Sequence, residues 1–394
     1  MRFTARFLII VSIVCIAFVF WLYQSVANRN ASIVEIDDEE WNRIVEKRRK
    51  EVNESIGCRH ILHAFGKKLK VEVLLIDPKV LEMIGKERCR ELKAYKERMK
   101  VATNSRKDFS SINDRYFDPA YFESDETKDY LEFKFESEPK RIIPKQFETE
   151  KFGNLAVPRK PFRFRQFWER SRVVECLNMS MNRNETEPRK LNPKYATFEL
   201  SRLRDVLVEY DMFPFISEGT LLGWYRECTL IPHTNDIDIN IMTTEYNPKF
   251  MEDIADGKLG FKLNRRLGKL EDSLELTVSP KSGYKVFTDI FWMYRQPTSN
   301  GTDYNWIGSL CGDGEKVRFN FPLFAPFCSA DLHGHLVWTT CDPRKIVEHE
   351  YGEKWNEDLP SDQYVWHKSV KNVERVGWYS MWQMRKIRFQ DGYE

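Results

Sequence analysis

Apolar and polar residues alternate in several short runs of the chain, and a period of two predicts β-strands. Isoleucine recurs at Ile237, Ile239 and Ile241, so these side chains are expected to share one face of a strand. The strongly apolar run from Tyr284 to Met293 predicts a second, more deeply buried strand. A shorter run at Val71–Ile76, closed by Asp77-Pro78, predicts a strand nearer the amino terminus.

Other segments carry the spacing and the end signals of helices. Apolar positions recur at helical spacing just before the isoleucine strand, at Phe198, Leu200, Leu203, Val206 and Leu207. The densely charged segment Lys86–Lys100 predicts an exposed helix. Near the end of the chain, Asp342 followed by Pro343 predicts a capped helix start. The segments together predict an α/β fold.

The first residues form an apolar run with a different consequence. Phe7 to Tyr23 contains a single polar residue, Ser12, and as a helix it would be about 25 Å long. Arg2 and Arg6 precede it, which predicts a cytoplasmic amino terminus. This pattern predicts a single-pass type II signal-anchor; a cleaved signal peptide ending near Ala27 is the alternative.

Two carboxylates on the isoleucine strand indicate chemistry. Asp236 and Asp238 are two residues apart, so both should leave the face opposite the isoleucines. Adjacent carboxylates repel each other, and a hard divalent cation such as Mg²⁺ or Mn²⁺ removes that repulsion. Asp289 is the one acid of the second strand and is expected to be a third ligand, or a base for an acceptor hydroxyl.

The segment before these acids predicts a phosphate site. Gly219 and Thr220 follow a short apolar strand and precede a helical run, so a tight turn and a helix start are expected there. Arg226 is a candidate for neutralising phosphate charge. Strand, Gly-Thr helix start and acid-bearing strands are the pattern of a nucleotidyltransferase core.

The same residues resemble a known family. Glu218-Gly219-Thr220-Leu221-Leu222-Gly223-Trp224-Tyr225-Arg226, with Asn235-Asp236-Ile237-Asp238-Ile239, is similar to the LicD and fukutin proteins. The fukutin branch is closer, because His233, Thr234 and Asn235 stand where bacterial LicD members carry Trp and extra acids. The resemblance covers roughly 197–360.

The resemblance implies an enzyme. It implies a metal-dependent transferase that moves a phospho-alditol, similar to ribitol 5-phosphate, from a CDP-linked donor to a glycan hydroxyl in protein glycosylation and releases CMP. The catalytic and metal residues would be Asp236, Asp238 and Asp289. A phosphocholine transferase, a UDP-sugar glycosyltransferase and a non-catalytic lumenal glycan-binding protein remain alternatives.

Further features predict a Golgi or endoplasmic reticulum location with the catalytic domain in the lumen. Five N-x-S/T sequons are candidate glycosylation sites, at Asn30, Asn53, Asn178, Asn184 and Asn300. Of the eight cysteines, seven follow the apolar run, so disulfides and at least one unpaired thiol are expected. The net charge of +2 gives no bulk bias toward nucleic acid, and no nucleic-acid partner is expected.

The predicted organisation has five parts. They are a cytoplasmic tail (1–6), the transmembrane signal-anchor (7–23), a stem (24–55), a small α/β lumenal domain with its linker (56–190) and a mixed-sheet catalytic domain (191–394). The basic and aromatic segment Arg159–Arg172 is interpreted as an interdomain segment, with capture of an anionic glycan as the alternative. A zinc site at Cys328, Asp331, His333 and His335 is a minor alternative, because Gly334 predicts a hairpin turn there.

Overall fold

The computed structural model describes residues 57–390, apart from 113–114, 136–137, 182, 184–188, 300 and 361–362. The predicted tail, anchor and stem lie outside the described residues, as do the sequons at Asn30, Asn53, Asn184 and Asn300. Residues 59–394 form one compact unit.

The predicted fold class is corrected in one component, the transmembrane helix. Crossing a bilayer takes about 20 mostly apolar residues. The longest helix described, Pro193–Glu209, has 17 residues and contains several charged side chains. No helix in the described part of the chain is both long enough and apolar enough to span a membrane. The fold is therefore described as mixed α/β without that element.

The first sheet contains seven strands. They are β1 Val73–Leu75, β2 Met99–Thr103, β3 Phe117–Ser124, β4 Tyr130–Lys134, β5 Arg141–Pro144, β6 Thr149–Phe152 and β7 Leu155–Pro158. Their order in the sheet is β5-β4-β3-β2-β1-β7-β6. β1 pairs with β7, and β2 with β3, in parallel; the other neighbours are antiparallel.

The second sheet contains nine strands, and two further strands form a separate hairpin. The strands are β8 Phe215–Ile216, β9 Asp236–Met242, β10 Phe261–Lys269, β11 Asp272–Pro280, β12 Phe287–Gln296, β13 Tyr304–Leu310, β14 Glu315–Pro322, β15 Phe327–Leu332, β16 His335–Thr340, β17 Val373–Trp378 and β18 Phe389–Gln390. Seven strands of the sheet follow the order β17-β14-β13-β12-β11-β10-β18, and β9 pairs with both β12 and β8. The hairpin consists of β15 and β16.

Several helices begin at side-chain caps. Asn192 caps one helix. Asp342 caps another through the backbone N–H of Lys345, and this second cap is the one that the sequence predicts. The helices are α1 (57–66), α2 Pro78–Gly85, α3 Cys89–Ala94, α4 Pro161–Glu169, α5 Pro193–Glu209, α6 Glu218–Glu227, α7 Pro248–Ala255, α8 Pro343–Tyr351 and α9 Met381–Ile387.

Some predicted elements are correct and one is wrong. The isoleucine strand, the apolar strand, the capped helix and the hairpin around Gly334 are present as β9, β12, α8 and β15–β16. The long exposed helix predicted over Lys86–Lys100 is wrong. The helix in this segment, α3, spans six residues. Met99 belongs to strand β2, which lies between β1 and β3. Cross-strand pairing there overrides the local charge pattern.

The central strands of the second sheet have two unlike faces. On one face, Ile237, Ile239 and Ile241 are buried, as the alternation predicts, and Val278 and Ile290 are buried beside them. The opposite face of the same strands carries polar and acidic side chains. The apolar face forms the core, so the chemistry of the sheet is restricted to the other face.

Side chains from α5 and β16 bind the first sheet to the rest of the chain. Asp129, in the turn before β4, accepts hydrogen bonds from the His335 ring at 2.9 Å and from the Leu336 backbone at 2.8 Å. Its carboxylate also lies 3.2 Å from the buried guanidinium of Arg204. The Tyr130 hydroxyl donates to Asp331 at 2.9 Å. These contacts form a partly buried polar junction.

The cysteines follow the expected chemistry. The described residues include the disulfides Cys176–Cys228 and Cys328–Cys341, and Cys311 is a free thiol. The first disulfide joins the segment after α4 to the end of α6. Because Cys328 is oxidised, and His333 and His335 contact Thr229 and Asp129, the zinc alternative is wrong.

Candidate active site

A cavity of about 820 Å³ lies against the polar face of the second sheet. This volume is within the range of small-molecule sites, about 300–1,000 Å³. The start of α6, the acid face of the central strands, α8 and the loop after α8 all contribute to its wall. Its lining includes Glu218, Gly219, Asp236, Asp238, Arg265, Asp289, Glu350, Tyr351, Trp355 and Trp366.

Three aspartates meet in this cavity. β9 and β12 run parallel, and their register places Asp238 directly opposite Asp289. Asp236 is two residues before Asp238 and shares its face. One carboxylate oxygen from each of Asp236, Asp238 and Asp289 lies within 4.8 Å of the other two. The three acids that the sequence singles out are therefore brought together.

The electrostatics of the three acids fit a bound cation. Burial raises the pKa of Asp238 well above its usual range, and the charge of Asp236 raises it further. Burial, followed by the nearby Glu275, raises the pKa of Asp289 to about 7. Deprotonating such a cluster costs free energy unless a positive charge compensates it. Three carboxylates with converging oxygens are a suitable donor set for Mg²⁺ or Mn²⁺.

The start of α6 supports the acids from one side. The helix begins at Glu218, so Gly219 lies within its first turn and not in a turn before it. A side chain at position 219 would lie 3.5 Å from Asp238 Oδ2, so glycine leaves this carboxylate accessible. The Asp238 backbone N–H donates to the Thr220 hydroxyl at 2.8 Å. Thr220 therefore positions the acid strand, and its role toward phosphate stays a prediction.

Arg226 has partners of its own. It is 1% exposed, and its Nε and Nη2 donate to Glu227 at 2.9 and 2.7 Å. Its Nη1 donates to the Glu357 carbonyl at 3.0 Å. These contacts tie the end of α6 to the loop after α8. All three nitrogens of this guanidinium therefore donate to protein acceptors. The predicted contact of Arg226 with phosphate stays a prediction.

Several further charged groups at the site were missed by the sequence reasoning. Burial raises the pKa of Glu218 to about 7, and Glu218 has a positive φ of 42° at the helix start. Glu350, on α8, is 1% exposed and also has a pKa raised by burial. Arg265, on β10, lies 3.6 Å from Asp289. Glu218 could have been found, because it directly precedes Gly219; nothing local marks Arg265 or Glu350.

Asn178 is the one predicted sequon within the described residues. Its side chain is exposed and its φ is 50°, in the left-handed region that asparagine tolerates. An exposed asparagine in an irregular segment is accessible to modification. Glycosylation there stays a prediction.

Two family models match successive parts of the chain. Residues 57–175 match the W02B3.4-like N-terminal domain, and residues 212–342 match the LicD/FKTN/FKRP nucleotidyltransferase domain. The second match contains all three aspartates and the start of α6. The fold and the site therefore define a protein with a LicD-type nucleotidyltransferase domain.

Known proteins resemble the chain over different lengths. Proteins W02B3.4 and T07A5.1 of Caenorhabditis elegans are 38% and 39% identical, over 84% and 81% of this chain and 84% of each relative. The ribitol-5-phosphate transferase FKTN of Mus musculus is 29% identical, over 57% of this chain and 48% of its own length. The chain therefore belongs to one family with the two worm proteins, and its residues 212–342 carry the LicD/FKTN/FKRP nucleotidyltransferase domain.

One solved structure aligns broadly but weakly. The Megavirus polyadenylate synthase covers 69% of this chain and 67% of its own, with 7% identity and a TM-score of 0.17. This likeness is too low to carry an argument about fold or function.

Proposed function

We propose that this protein is a transferase that moves a phospho-alditol, similar to ribitol 5-phosphate, from a CDP-linked donor to a glycan hydroxyl. The convergence of Asp236, Asp238 and Asp289 beside the start of α6 is the observation that carries the proposal. The match to the LicD/FKTN/FKRP domain and the similarity to a ribitol-5-phosphate transferase support the choice of donor.

The residues of the cavity suit an in-line displacement at phosphorus. A divalent cation held by the three aspartates would offset their charge and that of the donor diphosphate. The acceptor hydroxyl oxygen forms a bond to the phosphorus beside the alditol, and the bond from that phosphorus to the CMP oxygen breaks. A carboxylate oxygen of Asp289 or Asp238 would accept the hydroxyl proton, since both acids lie on the wall of the cavity.

We also propose that the protein works in the lumen of the Golgi or endoplasmic reticulum. The disulfides Cys176–Cys228 and Cys328–Cys341 support this location, because disulfides persist mainly in oxidising compartments. The exposed sequon at Asn178 is compatible with it. Cleavage of glycans from this site by an N-glycosidase, followed by mass spectrometry, would test the location.

The activity is tested by release of nucleotide. The purified protein is incubated with CDP-ribitol, CDP-choline or UDP-sugars, a glycan acceptor and Mn²⁺ or Mg²⁺. The proposal expects CMP from CDP-ribitol, and at least a 100-fold lower rate for the Asp236→Asn, Asp238→Asn double variant. CMP from CDP-choline alone would favour phosphocholine transfer. Release of UDP, or full rescue of null cells by the double variant, would overturn the proposal.

A further inference from the structure

A donor diphosphate would bring negative charge to a wall that is already acidic. Asp236, Asp238 and Asp289 line the cavity together with Glu218 and Glu275. Arg226, the cation that the sequence suggests, is held by Glu227 and by backbone carbonyls. Binding a diphosphate on this face is favoured by another cation close to the aspartates.

Strand register places Arg265 on the acid face. Asp238 on β9 lies opposite Asp289 on β12, Asp289 lies opposite Thr277 on β11, and Thr277 lies opposite Arg265 on β10. Directly paired residues project from the same face of a sheet. These four side chains therefore form one row across four strands. Among the described ion pairs, Arg265 is the cation that reaches this row, with Nη2 3.6 Å from Asp289 Oδ1.

A β-bulge in β10 places Arg265 on the acid face of the sheet. Leu263 pairs with Val278 and Arg265 pairs with Thr277, so Asn264 is an extra residue in β10. In a regular pairing, Asn264 would lie opposite Thr277 and Arg265 would project from the apolar face. Bulges occur next to active sites, where they redirect a side chain.

Neighbouring side chains fix the direction of the guanidinium. Arg265 Nη2 donates to Glu275, and Glu275 accepts a second hydrogen bond from the Ser309 hydroxyl at 2.8 Å. The Arg265 Nε is shielded from solvent and has no hydrogen-bond partner among the described residues. A buried guanidinium N–H without an acceptor costs free energy, so an anionic oxygen arriving from the cavity would stabilise it.

We propose that Arg265 binds phosphoryl oxygens of a pyrophosphate group beside Asp289, and that Glu275 is its positioning residue. The identity of that group as the diphosphate of a CDP-linked donor rests on the proposed function. Arginine suits this task because its planar guanidinium can donate two parallel hydrogen bonds to phosphate.

Binding of three probes to the full-length protein tests the inference. Inorganic pyrophosphate, CDP and cytidine are titrated by calorimetry, once with Mn²⁺ and once with EDTA. Arg265→Met should weaken pyrophosphate and CDP about tenfold or more and leave cytidine unchanged, since it removes charge-assisted hydrogen bonds. Arg265→Lys should retain part of the affinity. Arg266→Met is the matched control, because this exposed neighbour on β10 projects from the other face and its variant should bind as wild type does.

Removing Arg265 leaves Glu275 buried without its partner, so folding needs a separate check. The double variant Arg265→Met, Glu275→Gln removes both charges and should melt close to the wild-type temperature while still binding pyrophosphate weakly. Glu275→Gln alone keeps the cation but loosens its direction, and it should weaken pyrophosphate binding by a few-fold. Affinity in that variant equal to wild type would show that Glu275 does not position Arg265.

The outcomes separate this inference from the proposed function. Pyrophosphate and CDP affinities that are equal in wild type and Arg265→Met would overturn the inference and leave the CDP-linked donor standing. Pyrophosphate binding that depends on Arg265, with CDP no tighter than cytidine, would support the inference and exclude that donor. A wild-type protein that binds neither pyrophosphate nor CDP would overturn both the inference and the proposed function.

Discussion

At the scale of single residues, the site is defined by carboxyl groups kept close together against their mutual repulsion. Asp238 and Asp289 lie opposite each other on the adjacent strands β9 and β12. Asp236 lies beside them, and Glu218 lies at the start of α6. Burial and like charge both raise the pKa of Asp238 and Asp289. Without a cation, the cluster is a local source of instability on the polar face of the sheet.

The raised pKa of Asp289 predicts a pH dependence of the cation-free protein. The folded state holds the Asp289 proton up to about pH 7, whereas the unfolded chain releases it near pH 3.8. The folded state therefore binds more protons between these values, and stability falls as pH rises through this window, by up to about 1.4 kcal/mol per pH unit for one group. Above pH 7 this contribution is constant.

Urea unfolding in EDTA between pH 4.5 and 8 measures this effect. The Asp289→Asn variant should show a shallower loss of stability with rising pH than the wild type. Added Mn²⁺ should restore stability to the wild type most strongly at the alkaline end, where the carboxylates are deprotonated. Wild-type and variant curves that stay parallel would contradict the prediction.

At the scale of elements, the close approach of α6 to the following loop positions the site. Gly223 lies on the helix where it crosses residues 229–231, and a Cβ there would be 2.9 Å from the backbone atoms Thr229 O and Ile231 N. The loop leads directly into β9 and its two acids. The absence of a side chain at Gly223 therefore sets the distance between the helix start and the acid strand.

Gly223→Ala should consequently destabilise the protein. The clash is with backbone, which moves less readily than a flexible side chain, and overpacking of this kind costs about 1–3 kcal/mol. Chemical denaturation gives the free energy of unfolding. Gly312→Ala is the matched control, because a Cβ at Gly312 meets nothing within 4 Å. A Gly223→Ala variant as stable as this control would show that the helix can shift freely.

Local sequence predicts the secondary-structure elements well only where the pattern within a single strand or helix is sufficient. Alternation gives the buried face of β9, and the cap at Asp342 gives the start of α8. Local sequence cannot predict that Arg265 lies beside Asp289, because this depends on an extra residue in β10 and on the pairing of four strands. The failed helix over Lys86–Lys100 has the same origin: partners distant in sequence decide that Met99 joins a sheet.

At the scale of the whole molecule, the partly buried polar junction joins the first sheet to α5 and β16. Asp129 has three partners there, and the Arg204 guanidinium that it faces is buried. Residues on both sides of the junction belong to one compact unit. The two sheets are therefore expected to unfold in a single transition, although separate family models match the two parts of the chain.

Asp129→Ala should lower the free energy of unfolding by about 3 kcal/mol. Breaking a buried pair costs about 3–5 kcal/mol, and the low end applies because Asp129 is only partly buried and Arg204 also pairs with Asp205 at 2.6 Å. Urea unfolding should show one transition, moved to lower concentration. Glu126→Ala, an exposed change in the same turn, should shift it by less than about 0.5 kcal/mol. Two separated transitions in Asp129→Ala would show that the parts fold independently.

The extra residue Asn264 makes strand β10 tolerant of one particular change in length. Losing that codon would let Arg265 follow Leu263 directly, and the arginine would still lie opposite Thr277 and keep its face. Related genes that are one amino acid shorter at this point would therefore lose the local bend of the strand but keep its inward and outward positions.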